Sequence, residues 1–288
     1  MEQVNNPKVS VLMPIYKTDE KYLRQAIESI LSQTFGDFEF LILDDCPDDA
    51  REDIVKSYKD IRIKYIKNEI NLGITPTRNK LIEFSKGEYL AIMDHDDVSR
   101  PNRFAKQVEY LDSNPEVGVV GSNVHMICSN RDIVYPSKDQ DIKTTLMMKC
   151  AIVHPSSMVR KSVLTDNNIR YNEHYSPSED YKLWCDLIDV TNFYNIPEVL
   201  FNYRDHKANT SNKQNSKMEE ASFNIRAENE FKYPVLWKKY VLTKARFVKL
   251  IRLFSFIPFL KIEQKGRRSK YFLFDLIPLF SIKNSVKF

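Results

Sequence analysis

Hydrophobic positions in the first hundred residues follow two alternating rhythms. Short apolar runs, Val9-Ser10-Val11-Leu12-Met13, Phe38 to Leu43 and Tyr89 to Met93, have the length of buried strands. Ile61 to Ile66 alternates apolar and polar residues, as a strand with one buried face does. Between these runs the period becomes helical. From Asp19 to Ser32 the residues Tyr22, Leu23, Ala26, Ile27, Ile30 and Leu31 recur along one face. Asp49 to Tyr58, capped by Asp48 or Asp49, and Ile74 to Phe84 are predicted as further helices. Such alternation predicts an α/β fold, a mostly parallel sheet flanked by helices in the Rossmann-like manner. Ligands bind such sheets outside the C-terminal ends of the strands. Tyr16-Lys17-Thr18, Asp44-Asp45 and Asp94-His95-Asp96-Asp97 all sit at those ends.

The last cluster organises the chemistry. Bunched carboxylates raise one another's pKa unless a cation compensates, and oxygen ligands in an Asp-x-Asp spacing suit Mg²⁺ or Mn²⁺. Taken alone, the same residues also read as a solvated acidic loop. Ser99, or less favourably Asp97, is expected to cap a helix opening at Pro101. With 6 glycines and no Gly-x-Gly-x-x-Gly or Walker-type sequence, a glycine-rich phosphate loop is excluded. The four cysteines lack zinc-like spacing. The polar N-terminus has no signal-peptide core, and no uncharged apolar run is long enough to span a bilayer. Free thiols in a reducing cytosol are the expectation.

A wider set of motifs resembles one family. Val9 to Tyr16, Gln33-Thr34-Phe35, Leu41 to Asp45, Asn71-Leu72-Gly73 with Arg78-Asn79, and Gly87 to Asp97 occur in this order. Pro101 to Phe104 with Gln107, then Asn114-Pro115, continue the series. His154-Pro155 with Met158, Ser178 to Tyr181 with Leu183-Trp184, Pro197 to Leu200, and Tyr203-Arg204-Asp205-His206 complete it. Together they resemble family 2 glycosyltransferases of the GT-A fold, over about residues 7 to 210. Two departures stand out. Cys46-Pro47 replaces the Gly-Ser usual after the first aspartate pair, and proline removes a backbone donor. His95 occupies the middle of the metal motif, where a small residue is usual.

The resemblance implies roles residue by residue. Pro14, Ile15 and Tyr16 would line the base and ribose of a UDP-sugar donor, and Asp44 or Asp45 would hydrogen-bond the uracil or ribose. Either aspartate could instead serve the helix near Asp49. Arg78 would lie near the base and phosphates, or make a surface ion pair. Asp96 would be the first ligand of Mn²⁺ or Mg²⁺, with Asp94 on the ribose or on the metal through water. His206 would join the metal or diphosphate. Asp180 would be the base that takes the acceptor's proton, and Glu179 would orient it or bind acceptor hydroxyls. Both acids precede a helical run, Tyr181 to Val190, whose dipole should lower an acid's pKa. His154 is structural or lines the acceptor side, and Trp184 reads as core. The implied reaction is inverting transfer of a hexose to an oligosaccharide or lipid-linked glycan in bacterial surface polysaccharide or lipopolysaccharide assembly. A metal-dependent nucleotidyltransferase and a non-catalytic nucleotide-sugar binding module are the alternatives.

Charge separates the last fifty residues from the rest. From Lys238 onward lie 13 Lys/Arg and only two acids, Glu263 and Asp275, so the body is acidic although the whole chain carries +4. Phe254 to Ile262 and Phe274 to Ile282 form a near-repeat, each with a proline among aromatic and aliphatic residues. The organisation read from this is a catalytic domain over 1–237, its nucleotide-sugar half about 1–100 and its acceptor half about 101–237. A basic, amphipathic helical extension over 238–288 would rest on an anionic membrane. The expected setting is the cytoplasmic face of the cell membrane, with no nucleic-acid partner.

Overall fold

The computed structural model describes residues 6–205, 215–243, 260–265, 268–273 and 277–283. The chain divides into two compact units, Met1–Pro234 and Val235–Phe288.

The first unit opens with the expected alternation: β1 (Val9–Ile15), α1 (Glu20–Leu31), β2 (Phe38–Asp44), α2 (Glu52–Lys56), β3 (Ile63–Lys67), α3 (Ile74–Phe84) and β4 (Tyr89–Ile92). It continues with β5 (Val98–Ser99), α4 (Arg103–Ser113), β6 (Val117–Met126), β7 (Arg131–Ile133), α5 (Asp139–Leu146), β8 (Met158–Arg160), α6 (Lys161–Thr165), α7 (Glu179–Asp186), β9 (Asn192–Tyr203) and α8 (Asn215–Lys232). The strands form one mixed sheet in the order β3-β2-β1-β4-β8-β6-β9-β5, with β7 paired to β6. β3, β2, β1 and β4 run parallel. Their C-terminal ends therefore share an edge, which gathers Tyr16, Asp44-Asp45 and Asp94 to Asp97 from distant parts of the sequence.

Local chemistry explains the elements. β1 and β2 are buried along their whole length, as strands covered on both faces must be. α1 buries Leu23, Ala26, Ile27 and Ile30 against them, and Asp19 caps it by accepting the amide of Lys21. Gly87 lies against β1, where an added Cβ would meet the Ser10 amide nitrogen at 2.4 Å. Only glycine fits this approach. Ser10 Oγ there accepts the amides of Lys86 and Gly87 and donates to Glu39.

Several boundaries differ from the sequence reading. α2 starts at Glu52, and neither Asp48 nor Asp49 caps it: Asp44, from the end of β2, accepts the amide of its N-cap residue Arg51. α4 is capped from outside by Gln33, whose Oε1 accepts the Phe104 amide, and neither Ser99 nor Asp97 serves it. In the first case the acceptor comes from the end of the preceding strand, and in the second from a side chain 71 residues away. Ile61 falls outside β3 and is 96% exposed. α7 includes Glu179 and Asp180 as its first two residues and ends at Asp186.

In the second unit, helical residues run through 243. Beyond them the described residues correct the helical expectation. β10 (Leu260–Lys265), β11 (Arg268–Leu273) and β12 (Ile277–Lys283) form an antiparallel sheet with β11 central. Ile262, Tyr271, Phe272, Ile277, Phe280 and Ile282 in these stretches are strand-favouring residues. Pro278, which would break a helix, lies on an edge strand beside a register shift, where a missing amide is tolerated. Of the near-repeat, Phe254, Phe256, Ile257, Phe274 and Leu276 lie outside the described residues, as does His206, while Ile277 opens β12.

Candidate active site

Three strand ends and one helix start converge at the sheet edge. From β1, Pro14 and Ile15 are buried, and only Tyr16 presents its side chain.

At the end of β2 both aspartates are buried and committed to the chain. Asp44 accepts the amides of Cys46 and Arg51 at 3.0 and 2.7 Å and the hydroxyl of Tyr65 at 3.0 Å. The Cys46 donor, in the turn where Cys46-Pro47 departs from the family pattern, is thereby used internally. Asp45 accepts Asn68 Nδ2 and the amides of Leu72 and Gly73, each at 2.8 Å. It pins the turn that leads through Gly73, at φ 85°, into α3.

The turn after β4 is arranged differently. Asp94 is half-buried and meets Arg78 Nη2 at 3.4 Å. Burial raises the Asp94 pKa; Arg78 opposes the rise and Asp96 adds to it. Asp97 is buried, and its Oδ1 accepts the Arg204 amide at 2.7 Å. Its Oδ2 has no hydrogen-bond partner. Burial, then Asp96 and Asp94, push its carboxyl well above the usual range. His95 is half-buried, with Nδ1 unpartnered.

Arg78 joins this turn to α7. Its Nη1 contacts Glu179 Oε1 at 2.5 Å, and its guanidinium lies 5.7 Å from the ring centre of Tyr171. Burial works against the charged guanidinium, but Glu179 and Asp94 outweigh it and raise its pKa. Glu179 is thereby engaged with Arg78. Asp180, beside it, accepts the amide of Tyr181 at 2.7 Å. Its carboxyl is pushed up to about 6, by burial first and then by Glu179, against the pull of Arg78 and the Tyr181 amide. The helix dipole was expected to lower this pKa; desolvation and the adjacent carboxylate win instead. An acid poised near 6 is better matched to proton abstraction at neutral pH than one near 4.

Sequence reasoning assigned no role to Tyr171, Asn79, Arg103 or Arg204. Tyr171 takes a 2.7 Å hydrogen bond with His154 Nε2, and Asn79 brackets its backbone with two more. His154 is buried, and burial followed by Arg78 holds its pKa well below the usual imidazole value. It supports Tyr171, which supports Arg78. Trp184 is fully buried core. Arg103 is buried beneath the acidic turn and donates to the carbonyls of Ile92 and Ser157. The signal available for it in the sequence was its place in the Pro101-Asn102-Arg103-Phe104 motif.

The donor set fits a hard divalent ion. Asp94 and Asp96 are carboxylates two residues apart at a strand end. Among the described residues no group of three or more His, Cys, Asp or Glu is gathered for a metal. Magnesium-like ions need no such cage when substrate phosphates complete the shell.

Residues 10–168 match the sequence profile of Glycosyl transferase family 2. An uncharacterized glycosyltransferase of Methanocaldococcus jannaschii is 38% identical over 211 residues, covering 70% of this chain and 72% of that one. The chain belongs to glycosyl transferase family 2. The O-antigen biosynthesis glycosyltransferase WbnJ of Escherichia coli is 32% identical over 76% of this family 2 chain and 87% of its own. The structure of S. aureus TarS residues 1–349 in complex with UDP-GlcNAc aligns with a TM-score of 0.63 at 20% identity, over 77% of this chain and 66% of that one. The fold of this family 2 glycosyltransferase is accordingly of the GT-A type, and of the readings left open above, glycosyl transfer holds.

Proposed function

We propose that this glycosyltransferase moves a hexose from a UDP-sugar to a hydroxyl of a growing glycan, in a single inverting displacement. The observation that carries the reading is the run Asp94–Arg78–Glu179–Asp180. It ties the acidic turn of the sheet to a carboxylate whose pKa is about 6.

The donor lies over the C-terminal ends of β1 and β2, near Pro14, Ile15 and Tyr16. Because the oxygens of Asp44 and Asp45 already accept donors from the chain, they shape this floor, and any nucleotide contact they make is added to that role. Arg78 and Asp94 face the ribose and diphosphate. When bound, Mn²⁺ or Mg²⁺ neutralises charge on the departing diphosphate, and Asp96 with Asp94 would hold it. Asp180 accepts the proton of the attacking hydroxyl as the new C–O bond forms. The bond from the anomeric carbon to the diphosphate breaks, and its electron pair leaves on UDP. Glu179, held by Arg78, keeps Asp180 in place and raises its basicity.

The acceptor is an oligosaccharide or lipid-linked glycan of bacterial surface polysaccharide, a reading supported by the O-antigen role named for the E. coli relative. The basic second unit brings the enzyme to an anionic membrane surface at its cytoplasmic face. Among the described residues no helix is long and apolar enough to cross a membrane.

The test is release of UDP from a panel of nucleotide sugars with Mn²⁺. UDP-sugar turnover should stop in Asp96→Ala and stop reversibly on chelation. Full activity in excess chelator would remove the metal from the reaction, and turnover of GDP-sugars alone would overturn the donor assignment.

A further inference from the structure

The residue that follows β9 reaches back to the acidic turn. Arg204 follows β9 directly. Its amide donates to Asp97 Oδ1 at 2.7 Å and its Nε to the Asp96 carbonyl at 2.6 Å. Its Nη2 donates to Gln25 Oε1 at 2.8 Å, and its guanidinium lies 4.2 Å from the ring centre of Tyr22. Tyr22 and Gln25 belong to α1, which is locked into the core by Leu23, Ala26 and Ile27. Arg204 therefore braces the acidic turn against a rigid helix.

Arg78 reaches the start of the turn at Asp94, and the Arg204 amide holds its end at Asp97. Asp97 N reaches the Asp94 carbonyl only at 3.4 Å. Pairing resumes at β5, a two-residue strand whose Val98 and Ser99 pair with Asn202 and Phe201 of β9. Between β4 and β5, the brace on the Asp96 carbonyl sets where that residue's backbone sits, and so where its carboxylate starts. A planar guanidinium can hold a carbonyl, a side-chain amide and an aromatic face at once; an ammonium cannot.

We propose that Arg204 is a positioning residue that holds Asp96 in the pose from which it meets the cation and the donor diphosphate. The inference rests on the assignment of Asp96 above. It makes β9 and α1, neither of which carries a ligand, part of the donor site's support. Partners that orient a metal-ligating side chain commonly cost about 10- to 100-fold in affinity when lost.

The test is calorimetric titration of the full chain with UDP at saturating MnCl₂ and without it, alongside thermal unfolding. Arg204→Lys should unfold near the wild-type temperature and lose about 10- to 100-fold in UDP affinity with Mn²⁺, with a smaller loss in its absence. Gln25→Ala, which removes the acceptor of Arg204 Nη2, should weaken Mn²⁺-dependent binding in the otherwise wild-type chain and add nothing in the Arg204→Lys background. If Asp96→Ala loses Mn²⁺-dependent binding while Arg204→Lys retains it, the brace is overturned and the Asp96 assignment stands. If Asp96→Ala also binds like wild type, that assignment falls and takes the brace with it. If Arg204→Lys melts early and Gln25→Ala binds normally, Arg204 is a structural strut and the proposal is wrong.

Discussion

Two sets of aspartates occupy the same edge of the sheet and are treated in opposite ways. Asp44 and Asp45, after β2, are buried and receive hydrogen bonds at every oxygen, largely from backbone amides. Asp94 and Asp97, after β4, and Asp180, on α7, are short of donors and have raised pKa values. Equal chemistry thus divides into saturated and under-supplied groups according to how many donors surround each carboxylate, and the proposed reactive groups fall in the second set. A carboxylate saturated with amides gains from being charged and costs the fold nothing further. One that is buried and under-supplied destabilises the fold while it is ionised, and carboxylates of this kind concentrate at functional sites.

The sharpest way to break the comparison is Asp180→Asn. Loss of a general base typically reduces turnover by ~10²–10⁴. UDP affinity should barely change, and the fold should become more stable. Asp180 binds its proton more tightly folded than unfolded, so the penalty for its ionisation is absent below pH 4, grows as pH rises towards 6 and is complete above it. Asn removes that penalty. A variant with normal turnover, or one less stable at pH 8, would contradict the assignment of Asp180 to the reactive set.

Arg78→Met should come next. Glu179 is 5% exposed and Arg78 13%, so the variant leaves a buried carboxylate unpaired, at a cost of about 3–5 kcal/mol. Chemical denaturation reads this directly; a loss under 1 kcal/mol would show that the pair is not what ties the two halves of the site. Asp44→Ala should cost about 1–3 kcal/mol, because the amides of Cys46 and Arg51 lose their acceptor. Stability should fall more than UDP affinity. The reverse order would move Asp44 into the nucleotide site proper.

The pH profile gives a smaller but independent measure. With the base titrating near 6, kcat in the presence of saturating acceptor should fall about tenfold per unit below pH 6 and level off above 7. A flat profile between pH 5 and 8 would detach the reaction from Asp180. The weakest expected effect concerns the second unit. Co-sedimentation with anionic vesicles should be lost on deleting residues 238–288 and only partly weakened by salt, since apolar contact survives screening. A full-length chain that stays in the supernatant would end the membrane reading.

The alternation of apolar runs and amphipathic stretches, read from sequence, located α1, α3 and the strands β1, β2 and β4, because each is set by a local period and each buries its apolar face. It also placed Asp44-Asp45 and Asp94 to Asp97 at strand ends, and the parallel sheet brought those ends to one edge. What the order of residues did not contain was the supply of donors around each acid. Asp44 and Arg51 meet in a tight turn, but Arg78 and Glu179 are 101 residues apart, and Arg204 lies 108 from the carbonyl it holds. Those pairings decide which carboxylates are saturated and which are strained. The pKa of Asp180 follows from them, since burial and a neighbouring charge outweigh the helix dipole that sequence alone could see. The described strands of the second unit were hidden for a related reason. Short aromatic and aliphatic runs suit helix or strand equally by period, and only pairing with a neighbour chooses between them.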